Sequence, residues 1–283
     1  MRMVKILLSW AILFLVLFSG TTAAGDAAVR RYSFGVVPQF EQRKLYAIWK
    51  PIIDELERTT GLSFTLVTTL KINDFEKEYQ TEKFDFAYMN PYYIIRGIPP
   101  GTYIPLIRDK KSLRGILVVR KDGQVKTVAD LAGQTVAFPS PNALGASLMI
   151  RAELERLFGV KVKPLYVKTH SSVYLHVAKD LAAAGGGVQK TLQEQDAGIK
   201  DLLTVLHTTR PMPSHPVSAH KGIPPEVRDK VLDAFLAMGR SEAGRTLLSK
   251  IPVQELERAT LGDYLVMESW GLDKYWDPAW SED

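Results

Sequence analysis

The chain contains no cysteine. It therefore has no disulfide framework, and no thiolate to serve as nucleophile or metal ligand. Histidine is scarce too, with five in 283 residues. His170 and His176 cannot share one helix face, and no His-Glu-x-x-His occurs, so neither zinc nor any other metal is expected. No block of Lys and Arg is long enough to track a nucleic-acid backbone, which sets nucleic acid aside as a partner. The run Gly185 to Thr191 is glycine-rich but lacks the order and spacing of a phosphate loop. There is no Gly-x-Ser-x-Gly elbow, and Ser171 beside His170 is not a triad. Acid pairs such as Asp54 with Glu55 fall on a solvated helix face. Neither catalysis nor a cofactor is expected.

What remains is an ordinary globular composition, 46% hydrophobic and 24% charged, in a chain long enough for one large or two medium domains. The N-terminus departs from it. Arg2 and Lys5 precede the apolar run Ile6 to Phe18, broken only by Ser9, and Ser19 to Ala24 are small or polar. A basic region, an apolar region and a small-residue region in that order read as an export signal, residues 1–24, cut after Ala24. The cut removes two cations and no acid, lowering the net charge from +5 to +3. The competing reading is an uncleaved anchor. With no cysteine to carry a lipid, the expectation is a periplasmic protein that is not a lipoprotein.

Along the mature chain, strand and helix signals alternate. Arg31 to Val37 is a strand ending at Pro38. Leu45, Trp49, Ile52 and Leu56 fall at helical spacing before Gly61, and Pro51 inside that pattern should kink the helix or mark its start. Leu62–Thr69 is β-rich, Ile72–Lys83 helical, Asp85–Tyr88 and Tyr103–Ile107 strands. A second series begins at the strand Arg114–Arg120. It continues with the strand Thr135–Phe138, a helix over Asn142–Phe158 presenting Ile150, Leu154 and Leu157, and the strand Val162–Val167. Ser171–Ala183 reads as a helix, Ala184–Val188 as a turn or short strand, and Leu202–His207 as a strand. From Pro224 on, the pattern is helical and ends in an aromatic, acidic tail. Two βαβαβ series predict an α/β protein whose lobes face each other across a cleft, with loops at the strand ends lining it.

Chemistry concentrates at four strand ends. These are Val37-Pro38-Gln39-Phe40, the turn Tyr88-Met89-Asn90-Pro91-Tyr92-Tyr93, the turn Ser140-Pro141-Asn142-Ala143, and Lys168-Thr169-His170-Ser171-Ser172-Val173-Tyr174. Each supplies uncharged donors, as a buried oxyanion needs for its several oxygens. The stretch Thr135 to Gly159 is the most telling, because the N–H groups of a helix start and the positive end of its dipole favour an anion. Each site also has a plain structural reading: core packing for the tyrosines, and N-capping for Ser140, Asn142 and the His170-Ser171-Ser172 run.

Gly35-Val-Val-Pro-Gln39, Trp49-Lys-Pro51, Asp85-Phe-Ala-Tyr-Met-Asn-Pro-Tyr92, Arg114-Gly-Ile-Leu-Val-Val-Arg120, Ala137-Phe-Pro-Ser-Pro141, His170-Ser-Ser-Val-Tyr174 and Ala184-Gly-Gly-Gly-Val188 occur in that order. With the Pro216–His220 strand, they resemble the phosphate/phosphite/phosphonate solute-binding proteins of ABC transporters, the PhnD-like family. The resemblance implies a two-lobed type II periplasmic-binding-protein fold with two crossing hinge strands. The lobes would be residues 30–112 plus 222–283, and 113–221. It further implies a monomer that captures a small oxyanion for an ABC permease, or reports it to a membrane sensor kinase. The ligand contacts it implies are Gln39; Tyr88, Asn90 and Tyr93; Ser140, Asn142 and Ala143; and His170, Ser171 and Ser172. Members that grip a ligand amine often carry an acid where this chain has Gly185-Gly186-Gly187, so an aminoalkylphosphonate is disfavoured.

Overall fold

The computed structural model describes residues 30–278. The expected export signal, residues 1–24, lies outside the described residues. Among those described, no helix is long and apolar enough to cross a membrane.

The first series runs β1 (Arg31–Val36), α1 (Gln42–Thr60), β2 (Ser63–Thr68), α2 (Ile72–Gln80), β3 (Phe86–Tyr88), a short 3-10 turn and β4 (Tyr103–Asp109). The second runs β5 (Gly115–Arg120), β6 (Thr135–Phe138), α3 (Met149–Phe158), β7 (Lys163–Tyr166), α4 (His170–Ala178), β8 (Ala184–Val188), α5 (Gln189–Gln193), α6 (Ala197–Lys200) and β9 (Leu203–Thr208). The chain then returns through β10 (Val217–His220), α7 (Pro225–Arg240), α8 (Glu242–Leu248), β11 (Leu256–Arg258) and α9 (Gly262–Leu265).

Two sheets result, ordered β11-β4-β10-β3-β1-β2 and β7-β6-β8-β5-β9. Setting β11 aside, each sheet repeats one plan: three parallel strands with the first in the middle, then an antiparallel strand that has just crossed over, then an edge. The order reverses beside β1 in one sheet and β6 in the other. Those reversals open a crevice at the strand C-termini, where α/β sheets bind ligands. The crossing segments on either side of the second sheet pair through an antiparallel bridge between Leu113 and Met212.

Local physics explains most elements. β1 is flanked by β2 and β3, so Phe34 and Val36 are fully buried, and Phe34 packs against the rings of Trp49, Phe64, Phe86 and Phe235. α1 buries Leu45, Trp49, Ile52, Ile53 and Leu56 along one stripe, and Gly61 closes it in the left-handed conformation at φ 69°. Pro51 lies inside this helix on its exposed side rather than at its start.

Three expectations need correction, and one alternative is decided: of the turn or short strand read at Ala184–Val188, the strand is found, fully buried between β5 and β6. β10 belongs to the first sheet, paired with β3 and β4, so residues 217–221 do not go with the second series as the expected division had it. β11 interrupts a C-terminal region that reads as wholly helical. The helix after β6 begins at Leu144 with a π-helical turn, Leu144–Leu148, and Leu157 is exposed while Ile150 and Leu154 are buried.

Candidate functional site

A cavity of about 30 Å³ lies where the two crevices face each other. Its walls come from both sheets. Val37 and Gln39 follow β1, Asn90 and Tyr93 follow β3, and Ile72 opens α2. Across from them stand Ala143 to Ala146 after β6, His170 at the start of α4 and Val188 at the end of β8. His215, from the returning crossing segment, closes one side. No Lys, Arg, Asp or Glu is part of this lining.

The turn after β6 supplies the donors. Ala143 carbonyl accepts from both Ser147 and Leu148 N–H, at 2.8 and 3.0 Å, which winds the chain into the wide π turn. The N–H groups of Leu144, Gly145 and Ala146 stand ahead of the first hydrogen-bonded turn and so lack intrahelical acceptors. They begin a continuous helical stretch that runs on through α3 to Phe158, and their residues border the cavity. The turn sits unusually close to the second sheet. A Cβ on Gly186 would collide with the Ala146 carbonyl, and one on Gly115 with the Gly145 carbonyl. The glycine run, read as a turn or short strand, is thus a strand made bare for this approach.

Two imidazoles complete the lining. His170 Nδ1 lies 3.2 Å from the Thr191 hydroxyl, which itself donates to the Val188 carbonyl. Nε2 is the ring nitrogen with no hydrogen bond among the described residues. His215 Nε2 lies 3.4 Å from the Gln39 side-chain amide, and its ring stacks on Tyr88 at 5.4 Å. Burial lowers the pKa of His170 to about 4; burial, and then the neighbouring His170, lower that of His215 to about 3. Both rings are therefore neutral near pH 7.

The expected contacts separate into two groups. Gln39, Asn90, Tyr93, Ala143 and His170 are brought together on the cavity. Tyr88, Ser140, Asn142, Ser171 and Ser172 are not part of its lining. Tyr88 lies under His215 with its hydroxyl buried and without a hydrogen bond among the described residues, and the Ser140 hydroxyl is in the same state. Ser171 accepts from Gln195, and Ser172 pairs with Thr169, the residue that caps α4. His215 was missed, because an isolated histidine in a Pro-rich crossing carries no local signal.

Asn142 has a different occupation. Its amide donates to the Glu76 carboxyl at 3.1 Å and to the Asp277 carbonyl at 2.8 Å, and accepts from the Asp277 N–H at 2.9 Å. Its carbonyl receives the Asn90 side chain at 2.6 Å. These bonds tie the turn after β6 to the first series and to the C-terminal segment. That segment wraps α3: Arg151 reaches the Tyr275 carbonyl at 2.7 Å, Arg156 the Trp270 carbonyl at 2.7 Å, and Tyr275 donates to Glu155 at 2.7 Å. The aromatic, acidic tail is a strap across the two halves. Replacing Asn142 with alanine leaves buried partners without donors and should cost about 3 kcal/mol in urea unfolding. A change below about 0.5 kcal/mol would show that the strap holds nothing.

Behind the cavity, Tyr93 donates its hydroxyl to Glu76, so that phenol faces away from any guest. Glu76 is buried with no cation beside it, and desolvation pushes its pKa up to about 7 against the opposing effect of its two donors.

The family described as the periplasmic substrate-binding protein of phosphonate ABC transporters matches residues 34–264. Among solved structures, the chain is similar to a binding-protein component of an ABC phosphonate transporter from Pseudomonas aeruginosa. The two are 14% identical over 84% of each chain, with a TM-score of 0.73. It is also similar to PhnD1 from Prochlorococcus marinus, solved with methylphosphonate, at 13% identity over 85% of this chain and 97% of that one, TM-score 0.77. A Xanthomonas citri protein bound to chloride is 16% identical over 87% and 98%, TM-score 0.68. These likenesses establish the type II periplasmic-binding fold. The match spans most of the length, so this chain belongs to the periplasmic phosphonate substrate-binding family of ABC transporters, a family of binding proteins rather than enzymes.

Proposed function

We propose that this protein captures a small tetrahedral oxyanion, methylphosphonate or phosphite in kind, in the cavity between its sheets and delivers it as a monomer to an ABC permease. The observation that carries the reading is the convergence, on one uncharged cavity, of the helix-start N–H groups of Leu144 to Ala146 with Gln39, His170 and His215. Amide, imidazole and helix-dipole donors in a water-poor space can each meet one oxygen of such a guest. A fixed Arg or Lys would hold it more tightly and release it less readily. Asn90 and the strap then close one half on the other.

Size and charge narrow the guest. The cavity has room for something on the scale of a few water molecules. No carboxylate lines it to receive an ammonium group. Calorimetric titration with methylphosphonate, phosphite, phosphate, sulfate and 2-aminoethylphosphonate tests the reading. Methylphosphonate or phosphite should bind at least about tenfold more tightly than the aminoalkyl compound, a gap of about 1.4 kcal/mol. Heat from none of the five, or a preference for the aminoalkyl compound, would refute it.

A further inference from the structure

The cavity poses a charge problem that its donors alone do not solve. A phosphonate is doubly charged at alkaline pH, and no formal positive charge lines the site. Burying such a charge without a counter-charge is expensive, and the usual escape is to take up a proton. Imidazoles on the wall can hold one. His170 donates Nδ1–H to the Thr191 hydroxyl, so its Nε2 is the lone-pair nitrogen that takes a proton, while His215 Nε2 accepts from the Gln39 amide, so its Nδ1 carries a hydrogen to offer the guest. Both rings border the same cavity.

We infer that one proton enters with the ligand and is held by the imidazoles of His170 and His215 against the bound oxyanion. The inference rests on the oxyanion reading and specifies the bound state: the complex carries one proton more than the free protein and the ligand dianion together. The proton comes from solvent and no covalent bond changes. A dipole-only site would instead prefer the dianion, and its affinity would rise with pH.

The surroundings keep both rings neutral until the ligand arrives. Burial lowers both pKa values, and the neighbouring His170 lowers that of His215 further. On its outer side His215 borders a groove with Lys111, Arg114, Lys190 and Arg245, all cationic, and Arg108 adjoins it beside Tyr88. Asp109, the acid of that groove, already accepts from the N–H groups of Lys111 and Glu255. Tyr174 reaches His170 only through Thr191. An anion against the free ring nitrogens reverses this balance, because an opposite charge within contact favours the charged imidazole. Glu76 is a rival proton acceptor, one residue back through Tyr93 and Asn142, with the Asp277 carboxylate near it.

The sign follows from linkage. Above the ligand's second ionisation, binding must take up a proton, so affinity falls about tenfold per pH unit. Below it the ligand brings its own proton, and affinity is flat until the free imidazoles titrate. The intact protein is titrated with methylphosphonate at about pH 8.5 in two buffers of different ionisation heat, which counts protons. About one proton per site is expected in the wild type and in Glu76→Gln. Imidazole nitrogen spectra at neutral pH should show one imidazolium in total on binding, carried by His170 and His215 together and assigned by His170→Gln and His215→Gln. His176, His207 and His220 should stay still. The wild-type proton count stands even if a variant fails to fold. Binding with no proton exchanged, affinity rising with pH, uptake lost in Glu76→Gln, or uptake with silent imidazoles each overturns the inference and leaves the oxyanion reading intact. No binding of any oxyanion overturns both.

Discussion

Gly186→Ala is expected to abolish ligand capture and to lower the unfolding temperature. The new methyl group meets the carbonyl of Ala146 and the ring of Phe138. One of those is backbone and the other a fully buried side chain, so neither can swing aside. Either β8 moves out of its place between β5 and β6, or the turn at Leu144 to Ala146 lifts off the sheet. The second response rotates the donor N–H groups away from the cavity. Overpacking of this kind costs about 3 kcal/mol, and for a chain of this size that corresponds to a fall of roughly 6–10 °C. Gly115→Ala, which meets the Gly145 carbonyl from the neighbouring strand, should behave alike. Gly61→Ala, at a helix end with open space around it, is a useful contrast: it should cost stability through its positive φ yet leave binding intact. Scanning calorimetry and ligand titration on the three variants check this. Full binding by Gly186→Ala would mean that the close seating of the turn is irrelevant.

Glu76→Gln is expected to stabilise the protein at pH 8 and to flatten its stability between about pH 4.5 and 7. Glu76 is 5% exposed, and its carboxyl accepts from the Tyr93 hydroxyl and the Asn142 amide, with the Asp277 carboxylate nearby. Desolvation raises its folded-state pKa to about 7, above the ordinary glutamate value of 4.5 that an unfolded chain would show. Between those values the folded protein binds more protons than the unfolded one, so stability falls as pH rises through the window and levels off above it. At pH 8 the penalty of keeping the carboxylate is roughly 3 kcal/mol. Glutamine carries no charge; its single oxygen accepts from the Asn142 amide, and the Tyr93 hydroxyl, which can rotate, accepts from the new NH2. Urea unfolding of both proteins at pH 5 and 8 is the check. A wild type whose stability rises across that window, with no gain for the variant at pH 8, would show that the carboxylate is well solvated or paired. Because the same group receives Asn142 from the opposite half, the substitution should also tighten closure at alkaline pH.

Much of this was readable in the chain itself. The alternation of elements, the strand ends that carry Gln39, Asn90, Ala143 and His170, and the helix start after Phe138 all follow from local pattern. Family resemblance then fixed the lobed fold. What local pattern could not supply came from long-range packing. Ala184–Val188 reads equally as a turn or a short strand, because three glycines are turn residues by default; its pairing between β5 and β6, with the Ala146 carbonyl close against Gly186, decides for the strand. Asn142 looks like a helix cap or a ligand donor, yet the helix winds from Leu144, and its side chain is claimed by Glu76 and Asp277, 66 and 135 residues away in sequence. Tyr93 keeps its place on the cavity but turns its hydroxyl to Glu76. His215 reaches the site only because β10 returns to the first sheet, carrying the residues just before it across the cleft. The strap from Trp270 to Asp277 looked like a loose acidic tail for the same reason, its partners being on α3.

The most direct test is a crystal structure of the protein grown with methylphosphonate. The account places the phosphonate between the sheets, with oxygens about 2.7–3.1 Å from the N–H groups of Leu144 to Ala146 and from ring nitrogens of His170 and His215. The strap should remain closed over α3. A ligand found instead in the basic groove beside Lys111 and Arg245, or a cleft filled by its own apolar side chains with the ligand elsewhere, would contradict it.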